Sequence, residues 1–581
     1  MAHTRSRHTR RHFLTRVAQA AVGIYGFSRL AKPTYAASAF PQPGVGGVPA
    51  SVNKLTVAVD GWGWDELRTV QTTSISFLRD YVNLFLLMRD ENHTIVPLLA
   101  SEWALTDAGF QFTIHPKARW HDGTPVTAED IKWHFEAVMG VHASKFKNDR
   151  FTARFKEDIA EVQVIDPKHV FIRTTKPIPT FTAFYTGSGY HSVWFGPAHY
   201  LQQVEAEGYE KKPVGGGPYT VKEWKPGERI VLERWEDFWG DTPWYHKPQH
   251  KTLEIMLVPD TAARFALLKS RQVDVAVNIP YALAKDLPRS EAAGHRGVNP
   301  NKRDIWTQTI TATGNYNLVF VNLQAIKDSP NKPTPEELKP FDDIRVREAM
   351  ELALDKVAIS QKVHFGFSKP MSGLWFSEAF GHRPERKVTP YDPARARQLL
   401  TEAGYPNGFS TTIHWGAFVN SPGIKEWLEA AASFWKDVGI EVKIFEYEPT
   451  EFISRCCRPA PGAGGGSFDR KLRPLIVQTW GRQEHGGIQA GFGYHENGTY
   501  ICCWDAYTTE RWRTLNSTTD EAVQLQALAA LEDHVLAQRW QIPMAEVSMV
   551  IGYTDRVLAH PTAPHASAFE QLWRIVARGE K

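Results

Sequence analysis

The chain has 581 residues, more than one hydrophobic core usually serves, so two or more lobes are expected. Its 42% hydrophobic content is ordinary for a soluble protein, and 20 Trp is the unusual count. The formal charge is +3, but residues 1–39 hold seven Lys/Arg and no Asp/Glu; without them 60 Lys/Arg face 64 Asp/Glu, a charge of −4, which excludes the basic face a nucleic-acid role needs.

The first segment reads as targeting rather than fold. Thr9-Arg10-Arg11-His12-Phe13-Leu14 resembles the twin-arginine (Tat) export motif. The apolar stretch 17–27 is too short and too broken by Gly to span a bilayer, and Ala37-Ser38-Ala39 fits a small-x-small cleavage site. A basic disordered tail is the competing reading. No Cys lies near the cleavage site, so no lipid anchor is expected, and no other run of 18 apolar residues predicts a transmembrane helix.

A strand is predicted at 55–59. At 110–114, Phe110, Phe112 and Ile114 alternate with polar residues, the period of a half-buried strand. His121-Asp122-Gly123-Thr124-Pro125 supplies a turn. Thr127 stands three residues before Asp130, ahead of the helical spacing Ile131, Phe135, Val138, a capping box with Asp in place of Glu. Further strands are predicted at 169–174, 230–234, 253–258, 318–322, 411–415, 442–446 and 475–479. Helices are predicted at 345–363, 393–403, 424–438 and 520–539. Residues 330–340 read as a surface loop. The whole is mixed α/β without an internal repeat.

All four cysteines fall late, as Cys456-Cys457 and Cys502-Cys503. Export would place them where disulfides persist. A bridge between the pairs closes a loop of about 45 residues, on the order of 4 kcal/mol in the chain-entropy reading. That loop contains Pro461-Gly462-Ala463-Gly464-Gly465-Gly466. A metal site from Cys502, Cys503 and His495, and unbridged buried thiols, are the alternatives; the spacing lacks the usual zinc-ligand pattern.

The segment 97–135 also resembles a family signature. Leu99-Ala100-Ser101-Glu102-Trp103, Phe112, His121-Asp122-Gly123-Thr124-Pro125 and Thr127-Ala128-Glu129-Asp130 match, in identity and spacing, the peptide- and nickel-type solute-binding proteins of ABC importers, family 5. Gly217-Pro218-Tyr219, Glu223-Trp224-Lys225-Pro226-Gly227, and Val258-Pro259-Asp260 followed by Val273-Asp274-Val275 resemble its later blocks, with Arg271 where Gly is usual. Phe320-Val321-Asn322, Phe341-Asp342-Asp343 with Arg345 and Arg347, Tyr391-Asp392-Pro393 and Ala403-Gly404-Tyr405 continue them in order. The resemblance implies a type II periplasmic binding protein fold with two lobes, an extra third region and an interlobe ligand cleft. The lobes are expected at 40–96, 196–308 and 538–581 for lobe I, 97–195 for the third region, and 309–537 for lobe II. It also implies a soluble, monomeric periplasmic protein that is not an enzyme and carries no cofactor. Such a protein closes on a small solute, most naturally a peptide or peptide-like compound, and delivers it to an inner-membrane ABC permease with separate ATPase subunits.

Peptide-binding relatives typically carry an acidic residue shortly after a strand-ending Trp. Here that run is Thr479-Trp480-Gly481-Arg482-Gln483-Glu484-His485, with Gln483 at the acidic position. Glu484 takes the role if the loop shifts by one residue, whereas Arg482 suits an anion. Trp480, Trp415, Trp375, Trp62 and Trp64 are candidate stacking walls, each with a core-packing alternative. A non-peptide solute (an anionic compound, metal chelate, opine or sugar), a Tat-exported enzyme and a periplasmic sensor stay open. There is no GxxxxGK[ST], GxSxG or HExxH, so no ATPase, serine-hydrolase or zinc-protease site is expected. His485 and His495 in a Gly-rich stretch admit either metal binding or a solvated loop.

Overall fold

The computed structural model describes residues 41, 43–45, 47–61, 81–90, 95–106, 108–142, 149–176, 178, 181, 193–290, 296–300, 304–320, 334–416, 422–447, 451–452, 473–481, 485–496, 503–518, 520–561 and 571–579. Among them, eleven strands form one sheet: β1 (Val52–Val59), β2 (Tyr219–Lys225), β3 (Arg229–Arg234), β4 (His250–Leu257), β5 (Val275–Ala276), β6 (Trp306–Phe320), β7 (Ser368–Pro370), β8 (Phe409–Gly416), β9 (Ile440–Tyr447), β10 (Leu475–Gly481) and β11 (Gln541–Tyr553). Their order is β9-β8-β10-β6-β11-β5-β1-β4-β3-β2, with β7 added beside β11. β1 runs parallel to β4 and β5, and β8 runs parallel to β9 and β10.

Two cores sit on this sheet. The first contains Leu55, Val57, Leu253, Ile255, Trp306, Ile310, Met549 and Tyr553. The second contains Leu318, Phe320, Ile413, Trp427, Trp435, Leu475, Val477, Ile542 and Val547. β6 and β11 therefore contribute to both. Their antiparallel register breaks between Ile310 and Gly314, opposite Met549 and Val547, so β6 carries two more residues than its partner where one core gives way to the other. Such a bulge bends a strand pair locally.

A separate four-stranded antiparallel sheet uses Ala100–Thr106, Gly109–Ile114, His169–Thr174 and Ile159–Asp166. Phe110, Phe112 and Ile114 are buried as the alternation predicts. Gly109 has φ +146°, and a Cβ there would collide with Ile172 O at 2.0 Å, so only glycine fits. The capping box forms: Thr127 N and Oγ1 donate to Asp130 Oδ2 at 2.9 and 3.0 Å, at the start of the helix Ala128–Val138. Asp130 also accepts from Trp120 Nε1 (3.3 Å) and Ala198 N (3.0 Å), tying turn, helix and a distant segment together.

The expected helix at 345–363 is instead broken. One helix covers Ile344–Leu352, Asp355 caps a new turn by accepting from Ala358 N at 2.8 Å, and Ile359–Val363 winds more loosely as a π-helix. The buried pair Glu351–Lys356 (3.1 Å) bridges the break. The strand expected at 318–322 is the end of the 15-residue β6. Arg271 has φ +59°, the left-handed region glycine favours. Residues 1–39 lie outside the described residues, as do 330–333; the rest of the surface loop expected at 330–340 is instead helical, with Thr334 capping a helix at Pro335–Asp342.

Candidate functional site

In open α/β sheets, ligands bind beyond the carboxyl ends of the strands. Here β1 ends at Val59, β8 at Gly416 and β10 at Gly481. The loops that follow, 62–80, 417–421 and 482–484, lie outside the described residues, and with them Trp62, Trp64, Arg482 and Glu484.

The described edge of this region is built in two halves. On one side stands Asp60, just after β1. Asn278 Nδ2 donates to Asp60 Oδ2 at 2.7 Å, and burial pushes the carboxyl up from its ordinary range. Asn278 has φ +55°, a conformation held by Arg264 Nη2 donating to its carbonyl at 3.0 Å. The wholly buried Arg264 also donates to Val277 O at 2.8 Å and Val258 O at 2.6 Å, fastening the ends of β4 and β5.

On the other side the tryptophans divide. Trp415 is buried in the second core, among Trp427 and Ile413, which is the core-packing alternative for this residue. Trp375 and Trp480 belong together in the first core. Trp375 meets Tyr494 edge-on at 6.1 Å, and Trp480 lies 6.0 Å from Phe492; both partners come from or follow the glycine-rich helix Gly486–Gly493. His485 opens that helix, its Nδ1 accepting from Gly487 N at 2.9 Å and its ring stacked on Phe380 at 4.4 Å. His495 instead stacks on Trp512 at 3.7 Å and approaches Gly491 O at 2.8 Å. Among the described residues no group of three or more His, Cys, Asp or Glu could hold a metal ion.

Register adds residues that sequence reasoning missed. Trp480 on β10 pairs with Asn315 on β6, and Asn315 pairs with Glu546 on β11, so the three side chains share one sheet face. Asn315 and Glu546 are 0% and 4% exposed. Ser377 donates to Glu546 through its N (2.7 Å) and Oγ (2.8 Å), which brings the Trp375 loop onto this row. Glu532 fixes the same loop: its Oε1 accepts from Leu374 N at 2.7 Å and its Oε2 from Arg383 Nε at 2.9 Å. Nothing in the linear sequence marks Asn315, Ser377 or Glu546, because strand pairing alone unites them.

Of the four cysteines, Cys456, Cys457 and Cys502 lie outside the described residues. The buried Cys503 has its Sγ 3.6 Å from both Phe320 O and Trp540 O.

Comparison with known proteins completes the picture. Residues 94–470 match the family model "Bacterial extracellular solute-binding proteins, family 5 Middle". Heme-binding protein A of Haemophilus influenzae is 27% identical over 410 residues, covering 66% of this chain and 69% of that one. The dipeptide-binding protein of Escherichia coli is 25% identical over 383 residues, 62% of this chain and 65% of that one. The structure of the periplasmic binding protein DppA from Helicobacter pylori, in complex with the peptide STSA, superposes with a TM-score of 0.70 at 18% identity, covering 90% of this chain and 98% of that one. The fold is accordingly that of the type II periplasmic binding proteins. The chain belongs to the bacterial extracellular solute-binding proteins of family 5.

Proposed function

We propose that this family 5 solute-binding protein captures a small solute between two lobes outside the cytoplasm and delivers it to an inner-membrane ABC permease. The observation that carries this reading is the single sheet threaded by β6 and β11 through two cores. Two bodies joined by a bulged strand pair suit hinge closure, and binding energy can select the closed form. The division into lobe I (40–96, 196–308, 538–581), a third region (97–195) and lobe II (309–537) follows the family resemblance; the separate four-stranded sheet, formed within 100–174, supports the third region. Among the described residues no helix is long and apolar enough to cross a membrane. Residues 1–39 are read as a Tat signal, and the mature protein as a periplasmic monomer without catalytic activity.

A peptide or peptide-like compound is the solute favoured by the dipeptide-binding relative. A non-peptide solute is kept as the second reading, because the relative named as heme-binding is similar at the same level. The solute rests against Trp480 and Trp375, with Arg482 or Glu484 orienting its polar end and Trp62 or Trp64 approaching from lobe I. One or two disulfides join Cys456–Cys457 to Cys502–Cys503 and staple the intervening insertion; mass spectrometry of non-reduced peptides tests this directly.

The site is tested by calorimetry on Trp480→Ala, Arg482→Ala and Glu484→Ala with solute recovered from the protein. Loss of a buried charged contact costs about 2–5 kcal/mol, so one of the two charge variants should abolish binding. Arg482 does so for an anion and Glu484 for a peptide or cation. If all three bind within about twofold of wild type, the site lies elsewhere. Adjacent permease and ATPase genes separate transport from the sensor and enzyme alternatives.

A further inference from the structure

Glu546 is a carboxylate buried in strand β11 to 4% exposure. Its hydrogen-bond donors among the described residues both come from Ser377, a neutral residue: the backbone N at 2.7 Å and the hydroxyl at 2.8 Å. Among the described residues it makes no salt bridge. Among the described residues Glu351 pairs with Lys356 and Glu532 with Arg383, whereas the buried Asp130 relies on four neutral donors. An ion out of water without a counter-ion is costly, and a cation supplied by a bound molecule would offset that cost.

The neighbours of Glu546 are those of a binding row rather than of a packed core. Next to it across β6 stands Asn315, wholly buried, whose Nδ2 finds no acceptor. Beyond Asn315 comes Trp480, at the end of β10 where the sheet presents its carboxyl edge. Trp375, two residues before Ser377, is 1% exposed with its Nε1 unpartnered. On the other flank, Lys369 of β7 is in register with Glu546 but exposed, so the row runs from enclosed indoles to solvent.

We propose that Glu546 is the counter-ion for a basic nitrogen, an ammonium or guanidinium, of the bound solute, with Trp480 and Trp375 as aromatic walls and the Asn315 amide donating to an acceptor beside that nitrogen. Indole faces attract cations, and a carboxylate completes the pairing. This rests on the solute-binding reading and narrows it to a solute that is cationic at one end.

The test uses the full chain, freshly purified, with the retained solute released by denaturation and identified by mass spectrometry. Wild type should release a compound with a basic nitrogen. Glu546→Gln, which keeps the shape and can still accept from Ser377 N while the Ser377 hydroxyl turns to accept from the new amide, should weaken its rebinding by about thirtyfold or more. In the absence of solute the same variant should unfold at or above the wild-type temperature, because it removes an uncompensated buried charge. Lys369→Met should bind as wild type does; if it binds differently while Glu546→Gln does not, Lys369 is the partner of Glu546 and the proposal falls. A released solute without a basic nitrogen, or equal affinity in Glu546→Gln, overturns the proposal and leaves the transport reading standing. If wild type releases nothing and shows no thermal shift with alanyl-alanine, N-acetyl-alanyl-alanine, arginine or hemin, both readings fall.

Discussion

Gly486 lies against the indole of Trp375: a Cβ added to Gly486 would stand 2.9 Å from Trp375 Cδ2 and 3.2 Å from Phe380 O. One of those atoms is backbone and the other belongs to a fully buried ring, so neither yields cheaply. Gly486→Ala should therefore destabilise the protein by about 1–3 kcal/mol through overpacking, even though alanine favours helices. Urea unfolding measures it; an unchanged or raised midpoint would show that the Trp375 loop moves freely.

Asp130 accepts from four groups, two of them on Thr127 and the others on Trp120 and Ala198. Asp130→Ala leaves the buried donors unmatched as well as removing the cap. The expected loss is about 2–4 kcal/mol, with Asp130→Asn costing less. Equal stabilities for the two variants would refute the hub role.

Glu532 has a side chain 2% exposed and meets both Arg383 and Arg386. Glu532→Ala leaves those arginines with Asp533 alone and removes the acceptor of the Leu374 amide, with an expected cost of about 1–3 kcal/mol. Because Leu374 precedes Trp375, solute affinity should fall as well. A variant that loses stability but binds solute normally would separate this clamp from the site.

Four buried histidines and the half-buried His121 bear on acid stability. Burial depresses His121, His134 and His364 to about 4, and His250 and His560 to about 3. They are neutral in the fold, whereas the unfolded chain takes up their protons near pH 6.5. Their contribution is present in full above that pH and is lost as pH falls from 6.5 toward 4, on the order of 3 kcal/mol for His134 alone. Proton uptake on unfolding at pH 5, from the slope of stability against pH, should fall by about one in His134→Asn. An unchanged slope would mean that His134 is charged in the native protein.

Export is tested by changing Arg10 and Arg11 together to Lys. The expected outcome is precursor trapped in the cytoplasm, read by fractionation and immunoblotting. Normal amounts of mature protein outside the cytoplasm would exclude the twin-arginine route.

Much of the frame is legible in the chain. The strand predicted at 169–174 matches His169–Thr174, and the helix predicted at 393–403 matches Pro393–Glu402, since both have unbroken periodicity and clear ends. β6 was legible only at its end, because Asn315 and Asn317 interrupt the apolar pattern while being wholly buried. Their amides pair with each other, Asn317 Nδ2 donating to Asn315 Oδ1 at 2.8 Å, a long-range fact of burial that no local pattern carries. The broken helix at 344–363 failed for the opposite reason: Val346, Met350 and Ile359 sustain an apolar face, and the cap at Asp355 overrides it. Trp480 and Trp375 were reachable through the aromatic excess, but Glu546 was not, since acidic residues abound and only register distinguishes this one.

The position of β11 governs the order in which the protein can form. It is one of the last long segments of the chain to be synthesised, yet it lies in the middle of the sheet, with β6 along its whole length, β7 against residues 545–547 and β5 against Gly552 and Tyr553. Neither core closes before residues 541–553 leave the ribosome, so the nascent chain must wait with most of its non-local pairings unmade. Such high contact order makes folding slow and largely post-translational.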